Sequence, residues 1–212
     1  MSKMNIISHR GYWKEKNEQN TLASFKKSFQ SGFGVETDIR DSQNELVISH
    51  DIASGDDLLL KDFFELYSEV GDNLPLAINV KSDGLQDRLL TLLKNYNVHN
   101  YFVFDMSVPD HYVYSKKNIK SFTRHSEIEP HPPLLKESKG VWLDQFIDDW
   151  VSVEVIERYI EMDKDVCIVS PELHGRDYNK AWEKYSKVTF DSKNSIYICT
   201  DFPHLAKEYF DD

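Results

Sequence analysis

Eight short apolar runs alternate with helical stretches along this chain, and that alternation constrains the fold more than any other feature. The runs cover residues 4–8, 34–40, 75–81, 101–104, 121–123, 141–143, 166–169 and 196–199. Between them, apolar residues recur three and four apart, as on one face of a helix. The spacing predicts helices from the N-cap residues Asn20-Thr21 through Ser31, over 56–70, from Leu85 to Leu93, over 109–117 and 153–162, near 181–185, and over 205–210. Strand–helix alternation implies a parallel sheet with crossover connections. Eight such units point to a (β/α)8 TIM barrel rather than an open doubly wound sheet. No glycine-rich dinucleotide fingerprint follows any strand, which argues the same way. No composition break or Gly/Ser linker divides the 212 residues, so one domain over 1–212 is expected. That length is short for a barrel and leaves room only for brief loops, the proline-marked stretch 125–139 being the longest.

Charge and cysteine content narrow the function classes. A formal charge of −11 disfavours a general binder of nucleic-acid backbone, without opposing a small anion in a locally basic pocket. Cys167 and Cys199 each sit inside an apolar run and read as buried thiols rather than a disulfide. The N-terminus lacks the apolar run of a signal peptide, and no segment is long enough to span a membrane, so a cytoplasmic protein is expected.

Within this frame, residues 34–51 stand out. A strand at 34–40 turns through 41–44 and returns through Leu46-Val47-Ile48 to Ser49-His50-Asp51. Side chains two apart on a strand share a face, so Glu36 and Asp38 lie together. Two carboxylates about 4 Å apart repel by roughly 4 kcal/mol at an effective dielectric near 20. Such a pair calls for a cation between its members or a proton on one of them. The plainer alternative is a half-exposed strand turning polar residues to water.

In a barrel, chemistry gathers at the C-terminal ends of the strands. His9 and Arg10, Glu36 and Asp38, Asn79 and Lys81, Asp105, and Thr200-Asp201 occupy those positions, and the hairpin adds His50-Asp51. Two histidines, two carboxylates, an arginine and a lysine at one rim suit a reaction on an anionic substrate. A proton-transfer enzyme using His9 and Glu36, such as an isomerase, leaves the arginine and lysine unexplained. His125 and His174, with Arg124, Glu127 and Glu172, follow strands and could reach the mouth, though structural roles are the simpler expectation. Surface roles are expected for His99, His111, His131 and His204. Tyr12 and Trp13 are expected to wall the pocket or pack a substrate's apolar part, and the charged run 14–18 to be solvated.

Four motifs in order, Ser8-His9-Arg10-Gly11, Asn20-Thr21 with Phe25, Val35-Glu36-Thr37-Asp38 and Val47-Ile48-Ser49-His50-Asp51, resemble those of the glycerophosphodiester phosphodiesterase family. The closing Thr200-Asp201-Phe202-Pro203 resembles the family's last strand. The middle of the chain matches only as barrel architecture. The resemblance implies a phosphodiester hydrolase acting on a small glycerophosphodiester-type molecule. It makes His9 and His50 the acid–base pair, and Glu36 and Asp38 ligands of a divalent cation. All-oxygen ligation suits Mg²⁺ or Ca²⁺ better than zinc. Arg10 and Lys81 would neutralise the substrate phosphate.

Two departures from the family pattern bear on this reading. The family's third acidic ligand lies two residues before its lysine, where this chain has Asn79-Val80-Lys81. An amide oxygen can ligate a hard cation but brings no charge, so weaker metal binding is expected, or a phosphodiester-binding barrel without turnover. The family also inserts a small subdomain after its His-Asp motif, and this chain has room there for little beyond one helix.

Overall fold

The computed structural model describes residues 3–190 and 193–211, so Met1 and Ser2 of the N-terminal stretch lie outside the described residues. The strands are β1 (Asn5–His9), β2 (Gly34–Ser42), β3 (Glu45–Ile48), β4 (Leu58–Leu59), β5 (Leu76–Val80), β6 (Tyr101–Phe104), β7 (Phe122–His125), β8 (Gly140–Leu143), β9 (Asp165–Val169) and β10 (Ile196–Thr200). The helices are α1 (Leu22–Gln30), α2 (Leu60–Val70), α3 (Gln86–Asn95), α4 (Val108–Lys116), α5 (Val153–Glu161), α6 (Asn179–Tyr185) and α7 (Pro203–Asp211). Leaving aside β3 and β4, the remaining eight strands alternate with helices as a (β/α)8 fold requires. The step from β7 to β8 carries a loop in place of a helix, as its prolines foretell.

Contacts divide the chain into two compact units, one of residues 8–121 and one of residues 3–7 with 122–211. In the first, β2 pairs in parallel with β5, and β5 with β6. On the other side of β2, β3 and β4 add antiparallel edges. The β2–β3 hairpin closes on Gln43 and Asn44, with φ of 47° and 70°, the double left-handed turn whose twist suits a two-residue hairpin. Residues 58–59 belong to β4 rather than to the expected helix over 56–70, because Leu58 and Leu59 pair with Ile48 and Val47. Between His50 and Leu76 the chain places only β4 and α2, so no insertion subdomain is present there.

Thr21 caps α1, its hydroxyl accepting from Ser24 N. The apolar face of α1 packs on α2, where the Phe25 and Phe63 rings meet at 4.6 Å. Phe29, Leu60, Phe64, Leu89 and Val103 extend the same buried cluster beside β2 and β5. Removing such side chains from water stabilises the unit by about 1.5–3 kcal/mol each. In the second unit β7, β8, β9 and β10 pair in parallel in chain order. Trp182 of α6 is buried there, its indole N–H donating to Ser170 Oγ at 2.8 Å. Cys167 and Cys199 are buried thiols rather than a disulfide, as their apolar setting predicts.

Candidate active site

All seven residues singled out above, together with Asp105, lie in the unit of residues 8–121. His9 ends β1, and the chain then turns sharply through Arg10 at φ 56° and Gly11 at φ 92°. Gly11 is required there twice over, since a Cβ would also lie 2.4 Å from Ser24 Oγ. The turn brings Arg10 N within 2.9 Å of Glu36 O and 3.3 Å of Glu36 Oε2. His9 Nε2 lies 3.9 Å from the same carboxylate oxygen.

Glu36 and Asp38 share a face of β2 as expected, but they are 2% and 0% exposed. The plainer expectation of a half-exposed polar strand therefore fails, and the pair must be satisfied from within. Burial first, and the Asp38 charge second, push the Glu36 carboxyl up to about 7. Asp38 faces two cations, with Arg10 Nε 3.2 Å from Oδ2 and Lys81 Nζ 3.5 Å from Oδ1. Lys81 Nζ also donates to Asp105 Oδ2 at 3.2 Å.

Asn79 is the register partner of Asp38 on β5, which sets the two side chains beside each other on one face. Asn79 Oδ1 and Asp38 Oδ1 are both buried and accept no hydrogen bond among the described residues. A buried oxygen without a donor, as Asn79 Oδ1 is, costs about 1–3 kcal/mol, whereas Asp38 Oδ1 keeps the Lys81 ammonium at 3.5 Å. Oxygens of this kind fit a hard cation, and Glu36 adds a further oxygen donor whose charge a cation would favour. The fit is by the donor chemistry of two carboxylates and an amide; among the described residues no group of three or more His, Cys, Asp or Glu side chains is placed to hold a metal ion.

His50 lies beyond β3, nearly half exposed, with Nδ1 2.9 Å from Asp51 Oδ1. That hydrogen bond is the main cause of a lowered Asp51 carboxyl pKa. The structure thus gathers His9, Arg10, Glu36, Asp38, Asn79 and Lys81 around β2 and β5, and places His50 on the adjoining hairpin.

Several readings need correction. Asn20 does not cap α1. At φ 56° it accepts from Thr37 Oγ1 at 2.9 Å and donates to Asp38 Oδ2 at 3.1 Å, orienting that carboxylate. Thr21 fills the cap, which left Asn20 available; the motif Asn20-Thr21 marked the position without showing its contact with Asp38. Tyr12 packs edge-on against Phe33 with Lys27 over its ring, and the Trp13 indole donates to His9 O. His111 is buried, not on the surface, because its Nε2 pairs with Ser121 Oγ at 2.9 Å. His99, His131 and His204 are exposed as expected.

The other unit gives its titratable residues internal partners. His125 Nδ1 meets Tyr159 Oη at 2.8 Å, and His174 Nε2 meets Asp144 Oδ1 at 2.7 Å. Glu172 is held by the hydroxyls of Ser170 and Thr200 and by Asp201 N, while burial raises its carboxyl pKa. Glu127 accepts from the backbone of Phe146, Ile147 and Asp148, and Arg124 pairs with Glu129.

Solved structures were compared with the whole chain. A glycerophosphoryl diester phosphodiesterase from Parabacteroides distasonis matches with a TM-score of 0.72 at 14% identity, covering 99% of this chain and 86% of that one. An Oleispira antarctica phosphodiesterase, in complex with the product sn-glycerol-3-phosphate, matches at 0.70 and 16% identity, covering 99% and 98%. The chain has the fold of the glycerophosphodiester phosphodiesterases. A third such enzyme, from Agrobacterium tumefaciens, gives 0.68 at 15% identity, covering 97% and 99%. At the level of sequence, no family model and no curated protein matches the chain. The resemblance read from the motifs near residues 9, 20, 36 and 50 is therefore matched in three dimensions as a fold. No helix among the described residues is long and apolar enough to cross a membrane.

Proposed function

We propose that this chain is a metal-dependent phosphodiester hydrolase acting on a small glycerophosphodiester-type substrate, with 1–212 forming one catalytic domain in the cytoplasm. The observation that carries the reading is the cluster on β1, β2 and β5, where His9 and Arg10 meet the buried Glu36–Asp38 pair and Lys81. That cluster lies in a fold shared with enzymes of this activity.

Glu36, Asp38 and Asn79 would hold the divalent cation, Mg²⁺ or Ca²⁺ by their oxygen chemistry. When bound, it supplies positive charge to the phosphoryl oxygens as they gain negative charge. Arg10 and Lys81 bind the phosphodiester and neutralise the rest, as their ion pairs with Asp38 pre-position both side chains. One histidine of the His9/His50 pair removes a proton from the attacking water or substrate hydroxyl. The P–O bond to the leaving alcohol then breaks as the new P–O bond forms, and the other histidine gives its proton to the departing oxygen. Asp51 holds the His50 ring by its Nδ1, leaving Nε2 for proton transfer.

A second reading, binding without turnover, draws on Asn79, which brings no charge to the cation. Release of glycerol phosphate from a glycerophosphodiester, measured with and without added divalent cation, separates the two. Turnover supports the first reading; tight binding without turnover supports the second.

A further inference from the structure

Arg40 lies two residues beyond Asp38 on β2, so Glu36, Asp38 and Arg40 share one face of the strand. Asp38 pairs with Asn79 and Ile39 with Val80, which brings Lys81 alongside Arg40 at the C-terminal end of β5. The charges of Arg10 and Lys81 are met by Asp38, and that of Lys81 also by Asp105. Arg40 has no such partner. Its guanidinium makes one hydrogen bond, from Nη2 to Lys81 O at 3.2 Å, and no ion pair among the described residues. Its Nε is buried and donates to nothing among the described residues. Asp41 and Asp51 feel its charge, but both are exposed, and they bond instead to Ser82 Oγ and to the His50 ring.

A half-buried guanidinium with no counter-charge is an unfavourable arrangement that an anion relieves. Arginine meets a carboxylate or a phosphate through two parallel N–H donors, which suits it to recognise such a group. Two residues of strand set Arg40 about 7 Å beyond Asp38, toward the end from which substrate enters. We propose that Arg40 binds a second anionic group of the substrate, a carboxylate or phosphate carried on the alcohol beyond the scissile phosphodiester. The inference rests on the phosphodiesterase reading above and deepens it, naming glycerophosphodiesters with an anionic head group as the preferred class. Lys81 serves both ends, its ammonium meeting the scissile phosphate while its backbone oxygen steadies the Arg40 fork.

The test is calorimetric titration of matched ligand pairs into chelator-treated protein, so that binding is read apart from turnover. Glycerophosphoserine differs from glycerophosphoethanolamine by a carboxylate, and a phosphorylated glycerophosphoinositol from glycerophosphoinositol by a phosphate. Wild type should bind the anionic member of a pair roughly ten-fold more tightly, and the pair that shows it identifies the group. Arg40→Gln should bring that ratio close to one. Arg40→Lys, which keeps the charge without the fork, should retain part of it. A merely structural Arg40 would alter both members of a pair together and leave their ratio unchanged. Equal affinities within both pairs in wild type, or a preference that survives Arg40→Gln, overturns the inference. Release of glycerol phosphate with added Mg²⁺ or Ca²⁺ tests the hydrolase reading separately. Preference without turnover sinks that reading and keeps Arg40 as an anion site; turnover without preference does the reverse.

Discussion

His9 Nε2 lies 3.9 Å from Glu36 Oε2, on a carboxylate almost wholly removed from water. The relationship joins the proposed acid–base chemistry to the proposed cation site.

Glu36 therefore gives the metal-free protein a pH-dependent stability. Its carboxyl is raised from an ordinary 4.5 to about 7, so the folded state binds more protons than the unfolded chain between these values. Stability should then be greatest at the acid side of that window and fall as pH rises through it. The fall attributable to Glu36 is on the order of 3 kcal/mol. Urea unfolding of metal-free wild type and Glu36→Gln at pH 5 and pH 8 checks this. The variant should lose most of the fall and be the more stable of the two at pH 8. A wild-type curve that rises as steeply as it is expected to fall would contradict the assignment.

Gly11 makes the turn that brings Arg10 to Glu36. Gly11→Ala places a Cβ in the left-handed region and 2.4 Å from Ser24 Oγ, in the capping box of α1. A cost of roughly 1–3 kcal/mol or more is expected, read as a lower urea midpoint. A midpoint within error of wild type would show that the turn relaxes freely.

How far the sequence reaches is visible in these same residues. The strand spacing of Glu36 and Asp38 suffices to place both on one face, and the β2–β5 register adds Asn79 beside Asp38. Burial of the pair was not legible, because strand periodicity assigns residues to a face without saying what covers it. The inward role of Asn20 was not legible because an Asn-Thr pair before a helix offers two equally good caps, and only tertiary contact with Thr37 and Asp38 decides between them. His111 lies on a helix of weak amphipathic pattern, so its burial against Ser121 left no periodic trace. Leu58 and Leu59 read as helix because two residues are too few to show a strand alternation. Local patterning thus carried the elements and most of the cluster. Long-range partners decided the rest.

The two histidines should separate by leaving group. An alkoxide is a strong base, so loss of the histidine that protonates it should slow hydrolysis of a glycerol ester by roughly two to four orders of magnitude. A p-nitrophenolate leaving group hardly needs that proton. Single-turnover rates of His9→Ala and His50→Ala on the two esters should show one variant slow on both and the other slow mainly on the glycerol ester. Near-wild-type rates for both variants on the glycerol ester would remove both histidines from the chemistry.

Most direct for the central claim is hydrolysis of a glycerophosphodiester such as glycerophosphocholine by wild-type protein, followed as release of glycerol phosphate. With Mg²⁺ or Ca²⁺ present the account predicts product, lost in excess chelator, regained on adding the cation back and abolished by Asp38→Asn. No product across a panel of glycerophosphodiesters, with the protein folded and loaded with cation, would contradict it.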